Sequence, residues 1–315
     1  MYIGLDVGGY KINGVLMQGN KIVKKRWALN KSTSNRKIII AQIFDCIEEL
    51  ISGIDSPRFG EAGKKEIKGI GIGVPGPIDF RKQKILNPPN VTGLKNLFLA
   101  KIVREKFKIK TKIENDANCF GLAEALLGAG KSKKIVAGLT LGTGVGGFLV
   151  VNKKIFRGKL LRATEFGHIA IISGGRKCSC GRSGCLEAYI SARGIMKTAQ
   201  EIGLKKVSSP EEITQMARRG DKKAVEVYQK TGEYLGIGLA NIVNILNPDI
   251  IVIGGGIANA GKFIFEPARK IMKENILSPL AKNTRLVKAK FGENAGAIGA
   301  ALLVKFYPQF IHNKG

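Results

Sequence analysis

Two glycine-rich segments, each following an apolar run, carry residues suited to binding phosphate. The first segment runs from Asp6 to Lys11 and contains Gly8 and Gly9. Glycines let backbone amides approach an anion closely, and Asp6 suits Mg²⁺ or its bound waters. The second segment is Leu141 to Gly147, whose phosphate-binding candidates are Gly142, Thr143, Gly144 and Gly146. This much glycine costs backbone entropy that a structural hairpin does not require, so together the two segments predict phosphate binding.

A third glycine cluster follows the apolar run Ile250 to Ile253. It consists of Gly254, Gly255 and Gly256, and it is equally consistent with tight helix packing. The Asp6 segment taken alone is likewise typical of a turn that closes a hairpin.

One histidine and three cysteines have the spacing of a metal site. His168 is followed by Cys178, Cys180 and Cys185, while Cys46 and Cys119 stand in apolar segments. Three thiolates and one imidazole complete a closed tetrahedral zinc site, which leaves no position for water and is therefore structural. The crowding favours metal binding over a disulfide framework.

The elements that must position these residues follow a repeated pattern. Strand, glycine turn and strand occur at Tyr2 to Leu29 and again at Ile135 to Arg157. Apolar residues at helical spacing follow in both halves, at Ile38 to Leu50 and Ala224 to Leu246. A chain of 315 residues also exceeds one ordinary core. We therefore expect two α/β domains, with ligands bound beyond the strand ends in a cleft between them.

Four further strands are predicted, and each ends at a glycine or polar turn. They are Ile67 to Val74, Thr111 to Glu114, Ile250 to Ile253 and Arg285 to Lys290.

The composition indicates an ordinary globular protein with a strongly basic surface. The chain is 44% hydrophobic and 24% charged, and its 52 Lys and Arg against 24 Asp and Glu give a net charge of +28. The lysines occur as scattered pairs, so we expect a solvated basic surface and no dedicated nucleic-acid site. The N-terminal sequence and the strand-sized apolar runs predict a cytoplasmic protein without a membrane anchor.

Seven segments in conserved order resemble the ROK family of repressors and sugar kinases over nearly the whole chain. They are Asp6 to Gly9, Gly73 to Asp79, Glu114 to Asn118, Leu141 to Gly147, Glu165 to His168, the cysteine cluster, and Gly254 to Gly256. The resemblance implies an actin-like (ribonuclease H-like) two-domain ATPase fold. The expected domains are residues 1–115 plus 296–315, and a larger domain of residues 116–295 that carries the zinc motif.

The resemblance also implies an ATP- and Mg²⁺-dependent sugar kinase, with glucose phosphorylated at its 6-hydroxyl. Asp116 is assigned as the base, because phosphoryl transfer needs a carboxylate that orients and deprotonates the attacking hydroxyl. A capping role for Glu114 to Asp116 at a helix start is compatible with catalysis. The sugar contacts that the resemblance implies are Gly76, Asn90, Asn115, Glu165, His168 and Glu187. A homodimer is expected as the commonest soluble assembly.

Alternatives remain for the substrate, the donor and the class of protein. The segment Asn115 to Phe120 resembles N-acetylglucosamine kinases, whereas Pro75 to Pro77 resembles glucokinases, and N-acetylmannosamine is a further alternative substrate. The net charge favours polyphosphate as an alternative donor. Repressors of the family carry a winged helix before the first strand, whereas the kinase-type domain here is expected from residue 2.

Three residues depart from the family pattern. Tyr10 stands where threonine is usual, Thr164 where glycine is usual, and Phe148 where a small residue is usual. These departures motivate a further hypothesis of a catalytically weak, sugar-responsive regulatory protein. Phe148 either narrows the nucleotide pocket or faces the core from its strand.

Overall fold

The computed structural model describes residues 1–52, 67–159 and 163–307. The chain divides into two compact units, each assembled from separate stretches of sequence. Unit 1 comprises Met1–Lys131, Lys153–Ala163 and Glu293–Gly315, and unit 2 comprises Ser132–Asn152 and Thr164–Gly292.

Unit 1 contains a sheet of longer strands together with short two-residue strands. Its described strands are β1 (Tyr2–Val7), β2 (Lys11–Gln18), β3 (Lys21–Leu29), β4 (Gly69–Val74), β5 (Ile78–Asp79), β6 (Lys84–Ile85), β7 (Thr111–Asn115) and β10 (Lys154–Ile155). The sheet order is β3-β2-β1-β4-β7. β1, β2 and β3 form an antiparallel meander, whereas β1, β4 and β7 run parallel. The carboxyl ends of β1, β4 and β7 therefore meet at one edge of the sheet.

Helices cover this sheet. They are α1 (Arg36–Ile51), α2 (Leu99–Phe107), α3 (Asp116–Leu126) and α9 (Ala295–Phe306). α9 lies directly on β1 and β4, because a Cβ atom added to Gly4 would be 1.9 Å from the Ala297 carbonyl oxygen and one added to Gly71 1.8 Å from that of Ala300. Only glycine permits this approach, so α9 packs closely on the strand that carries Asp6.

Unit 2 has a sheet with helices packed on it. Its strands are β8 (Ile135–Leu141), β9 (Val145–Val151), β11 (Ile250–Gly254) and β12 (Arg285–Lys288). Its helices are α4 (Glu187–Ile190), α5 (Ala192–Glu201), α6 (Pro210–Arg218), α7 (Lys222–Leu246) and α8 (Lys262–Asn275). The strand order is β9-β8-β11-β12, with β8 and β9 antiparallel and β8, β11 and β12 parallel. The glycine turn after β8 and the glycines at the end of β11 therefore lie at the same sheet edge.

The unit boundaries differ from the predicted domains. The prediction placed residues 116–295 together, whereas α3 and the segment Lys153–Ala163 belong to unit 1. The physical reason is close packing of α3 on α9, since a Cβ added to Gly299 would meet the Cys119 carbonyl oxygen at 1.6 Å. The predicted returning helix ends at Phe306, and residues 308–315 lie outside the described part of the chain.

The predicted strands and helices occur close to their expected bounds, with the predicted strand at Lys154 shorter and ending at Ile155. No helix among the described residues is both long enough and apolar enough to cross a membrane.

Candidate active site and metal centre

Two carboxylates, those of Asp6 and Asp116, flank the end of β4 in unit 1. Asp6 on β1 is paired with Gly73 on β4, and Gly73 is paired with Glu114 on β7, one residue before the β7–α3 junction. Asp116 is the first residue of α3, and its Cα would be 3.6 Å from a Cβ built on Gly73. The sheet therefore brings Asp6 and Asp116 together although 110 positions separate them in the sequence.

Asp6 is in an environment that disfavours its charged form. Burial, and secondarily the negative charge of Asp116, raise the pKa of Asp6 from 3.8 to about 7, while Lys11 acts in the opposite direction. The carboxylate lies against the start of α9, where a Cβ added to Gly296 would meet Asp6 Oδ2 at 2.4 Å. Two neighbouring carboxylates suit a hard divalent cation such as Mg²⁺, which would stabilise both negative charges.

Lys11, predicted to bind phosphate, forms an ion pair within unit 1. Its Nζ lies 2.5 Å from Glu293 Oε2, and Glu293 also accepts a 2.9 Å hydrogen bond from Asn13 Nδ2 through its backbone oxygen. The amide of Gly8 donates to the Lys11 carbonyl at 2.9 Å and so closes the turn. Gly8 thus shapes the turn. Glu293 was not among the predicted site residues. Its acidic side chain in a strongly basic chain is the sequence feature that could have identified it.

The sugar contacts predicted in unit 1 lie close to one another. Asn115 caps α3 through its side chain and donates from Nδ2 to the Gly76 carbonyl at 3.4 Å. A Cβ added to Gly76 would be 2.9 Å from Pro88 Cα, and one added to Gly9 would be 2.9 Å from the Asn90 carbonyl oxygen. The turn after β4, the proline turn and the β1–β2 turn are therefore in contact.

The predicted metal ligands of unit 2 converge. One ligand atom from each of His168, Cys178, Cys180 and Cys185 lies within 4.8 Å of all the others. His168 Nδ1 is 3.6 Å from Cys178 Sγ, and Cys180 Sγ is 3.7 Å from Cys185 Sγ. The latter distance excludes a disulfide, whose sulfur atoms are about 2.05 Å apart.

These separations fit a tetrahedral zinc ion. Thiolates bound to zinc at about 2.3 Å lie about 3.8 Å from each other in a tetrahedron. A hydrogen bond from the backbone of Arg182 lowers the pKa of Cys180, whereas burial raises the pKa of Cys178 and Cys185 in the protein without metal. His168 turns Nδ1 toward the sulfurs, which leaves Nε2 for another partner.

Glu187, predicted to contact sugar, bridges two loops of unit 2. Its Oε2 accepts from the backbone amide of Val145 at 2.9 Å, and its Oε1 accepts from the Ser179 hydroxyl at 2.7 Å. Val145 begins the strand after the glycine turn, and Ser179 lies between two metal ligands. Glu187 therefore links the glycine turn to the cysteine loop, and nothing in the sequence marked Ser179 as its partner.

The glycine segments of unit 2 are adjacent. Gly254 is paired with Thr140, and a Cβ added to Gly255 would lie 2.1 Å from the Leu141 carbonyl oxygen. Gly142 donates its amide to the Gly144 carbonyl at 3.0 Å, which tightens the turn. The predicted phosphate-binding residues of this unit thus form one contiguous edge: Gly142, Thr143, Gly144, Gly146, Gly254, Gly255 and Gly256.

The three departures from the family pattern have different structural consequences. Phe148 is fully buried, and its ring lies against Gly138 on the neighbouring strand, whereas the adjacent Leu149 belongs to the hydrophobic cluster of unit 2. Tyr10 is 77% exposed. Thr164 has a φ of 75°, a left-handed conformation that glycine adopts without strain, and it precedes the exposed Glu165. Of the three, Thr164 alone imposes backbone strain next to a predicted sugar contact.

Comparisons with known proteins place this fold and these segments in one family. The model of the ROK family matches residues 2–306. A glucokinase of Halalkalibacterium halodurans is 34% identical, with 96% of this chain and 94% of that protein covered. The xylose repressor of Bacillus subtilis is 31% identical over 96% of this chain and 76% of its own length.

A solved structure extends the likeness to three dimensions. A ROK family glucokinase from Streptomyces griseus, in complex with glucose and AMPPNP, has a TM-score of 0.81 at 27% identity and covers 97% of this chain and 99% of its own. The chain belongs to the ROK family. The predicted actin-like α/β fold class is thereby confirmed.

Proposed function

We propose that this protein is an ATP-dependent hexose kinase that phosphorylates glucose at the 6-hydroxyl. The observation that carries the proposal is the pair formed by Asp6 and Asp116 at one edge of the unit 1 sheet. Phosphoryl transfer needs a carboxylate for the attacking hydroxyl and a site for the metal that accompanies the nucleotide, and this pair offers both. The glucokinase relatives support glucose as the acceptor.

Asp116 is the proposed base. Its carboxylate Oδ1 accepts a 2.8 Å hydrogen bond from the Ala117 amide, which fixes the side chain at the start of α3. From there it would accept the proton of the sugar hydroxyl as that oxygen attacks phosphorus. Asp6 would hold Mg²⁺ or its bound waters, and when bound this ion neutralises charge on the transferred phosphoryl group.

The glycine segments would hold the ATP phosphates through backbone amides. Gly9 and Lys11 in unit 1, and the glycine edge in unit 2, are the proposed contacts. In the nucleotide-free protein, Glu293 would orient the Lys11 side chain. The ion pair is accessible to solvent, so Lys11 could exchange Glu293 for a phosphate group when ATP binds.

We further propose that the Cys₃His cluster holds a structural zinc ion that positions His168. With Nδ1 on the metal, Nε2 can donate to a sugar hydroxyl, and the zinc geometry then fixes the ring. Glu165 and Glu187 are the other sugar contacts proposed for unit 2. Gly76, Asn90 and Asn115 are those proposed for unit 1. The 3.7 Å and 3.6 Å ligand separations support this metal.

A coupled assay with ATP and Mg²⁺ across hexoses and N-acetylhexosamines tests the proposal. We expect the highest kcat/KM with glucose, and loss of turnover with retained sugar binding in Asp116→Asn. Asp45→Asn, on the exposed face of α1, is the matched control. Preference for an N-acetylhexosamine would transfer the assignment to the alternative substrate, and replacing ATP by polyphosphate tests the alternative donor. Normal turnover of Asp116→Asn would remove Asp116 as the base.

A sugar-responsive regulatory protein is the second candidate, favoured by the strained Thr164 and by the repressor relative. It predicts sugar binding by calorimetry without phosphate transfer from any donor.

A further inference from the structure

A buried ion pair lies directly behind the proposed catalytic residue. Glu114 is the residue of β7 two positions before Asp116, and its side chain has no exposed surface. The Arg157 side chain that faces it is only 7% exposed. Charged side chains are rarely buried to this degree unless they are paired, so this pair needs an explanation.

Arg157 approaches Glu114 in a fixed orientation. Its Nε and Nη2 donate to the same oxygen, Glu114 Oε2, at 2.9 Å and 2.5 Å. The guanidinium lies 5.1 Å from the ring centroid of Phe80 and 5.7 Å from that of Tyr307. Two hydrogen bonds and two aromatic rings thus define where the guanidinium sits.

The other oxygen of Glu114 is used for a different purpose. Oε1 accepts from the backbone amide of Asn115 at 2.8 Å and from Asn118 Nδ2 at 3.0 Å. Asn115 is the cap of α3 and Asn118 lies in its first turn, so both flank Asp116. One carboxylate therefore connects Arg157 to the residues on either side of the proposed base.

The segment that carries Arg157 is itself tied down. The Tyr307 hydroxyl accepts from the Ile155 amide at 2.9 Å and donates to the Lys153 carbonyl at 3.2 Å. The Arg157 carbonyl accepts from the Ala163 amide at 2.9 Å. Arg157 thus reaches Glu114 from an anchored backbone.

We propose that Arg157 and Glu114 are positioning residues, which fix the β7–α3 junction so that Asp116 and Asn115 hold the geometry that phosphoryl transfer needs. This inference rests on the proposed role of Asp116. A buried ion pair is weak evidence for stability alone, because desolvation offsets much of its attraction. If Glu114 served only to balance the charge of Arg157, its second oxygen would not need to accept hydrogen bonds from Asn115 and Asn118.

The sequence contains a signal that Glu114 has a buried partner. It lies in a strand whose first four residues are all buried, so its charge required a partner. Nothing near Arg157 in the sequence identifies it as that partner.

The test compares three variants with one control. Arg157→Met removes the guanidinium, Arg157→Met/Glu114→Gln also removes the unpaired buried charge, and Arg157→Lys keeps the charge without the two-pronged donor. Arg104→Met removes an exposed arginine of α2 that lies outside this network, and it is the control. Steady-state kinetics, calorimetry with glucose and thermal unfolding are measured on each purified protein.

We expect kcat to fall at least tenfold in both Met-containing variants and by a smaller factor in Arg157→Lys, since a misplacement of about 1 Å can cost about 10²-fold. The KM for ATP should stay within about twofold, because the change lies at the sugar side of the reaction, and Arg104→Met should keep kcat within about threefold. The double variant should unfold at a higher temperature than Arg157→Met, and its kcat should nevertheless be as low as that of Arg157→Met. That separation of kcat from stability distinguishes positioning from a structural role.

A folded double variant with wild-type kcat and glucose affinity would overturn the inference. Should Arg157→Met not fold, the double variant decides, and should that also not fold, Arg157→Lys decides by the same criterion. If the wild type binds glucose but transfers no phosphate, the proposed kinase function fails by itself. In that case calorimetry with glucose tests the inference. Glucose binding at least tenfold weaker in the variants would support it, and unchanged binding would contradict it. A wild type that neither binds sugar nor transfers phosphate overturns both.

Discussion

Replacing Asp6 by asparagine should stabilise unit 1 at neutral pH while it abolishes phosphate transfer. The pKa of Asp6 is raised from 3.8 in the unfolded chain to about 7 in the folded protein, chiefly by burial. A carboxyl whose folded-state pKa is raised contributes stability that is present at low pH and is lost as the pH rises from about 4 through about 7. Asparagine has no proton to lose and avoids this loss.

The magnitude follows from the two pKa values. A difference between 3.8 and about 7 corresponds to at most about 4 kcal/mol, at about 1.4 kcal/mol per pH unit. The side chain is mostly but not completely shielded from solvent, which reduces this value, and we expect about 2 kcal/mol. The unfolding free energy of Asp6→Asn relative to wild type should therefore rise by about 2 kcal/mol between pH 4 and pH 8.

Urea unfolding in buffer without Mg²⁺ measures this difference. Trp27 is the one tryptophan of the chain and lies in β3 of unit 1, so its fluorescence reports on that unit. Asp45→Asn, which removes one carboxylate at an exposed position on α1, is the matched control. A difference between Asp6→Asn and wild type that stays constant from pH 4 to pH 8 would refute the argument that burial and Asp116 destabilise the charged carboxylate.

Three further outcomes are expected. Cys180→Ser should reduce the zinc content, measured by atomic emission, from about one ion per chain, and should lower both the Tm and the glucose affinity by freeing His168; full zinc occupancy or unaltered glucose binding in this variant would count against the cluster as a positioning device. Phe148→Ala should destabilise the protein by about 3–5 kcal/mol, as measured by chemical unfolding, because the ring is fully buried against Gly138; a near-neutral effect on stability with a lowered KM for ATP would instead indicate that Phe148 lines the nucleotide pocket. Thr164→Gly should be more stable than Thr164→Ala by about 1 kcal/mol in chemical unfolding. Both variants lose the 3.2 Å hydrogen bond from the threonine hydroxyl to the Gly147 carbonyl, but only glycine relieves the strain of the positive φ. Equal stability of the two variants would show that the backbone at residue 164 is unstrained.

The sequence predicted the elements well where local pattern determines them. The meander Tyr2 to Leu29 and the hairpin Ile135 to Val151 appear close to the expected bounds, because strand-sized runs separated by glycine and polar turns specify them locally. The cysteine cluster was predictable for the same reason, since three of its four ligands lie within eight residues.

Contacts between distant residues could not be predicted in this way. The assignment of α3 to unit 1 depends on its contact with α9, about 180 residues later, and no local pattern encodes that contact. Glu293 beside Lys11 and Arg157 beside Glu114 are likewise pairings set by the assembled fold. The placement of Phe148 was undecided in the sequence, because a strand residue next to a turn can face either side.

The late position of α9 in the chain affects how this protein is made on the ribosome. Gly4 and Gly71 are covered by a helix that begins at Ala295, so the face of β1 and β4 beneath it stays uncovered while more than two hundred further residues are translated. During that time an apolar surface of the nascent chain is available to chaperones, and also to the same surface of a neighbouring nascent chain. A premature stop before Ala295 would consequently yield a product that aggregates, even though every strand of both sheets has already been synthesised.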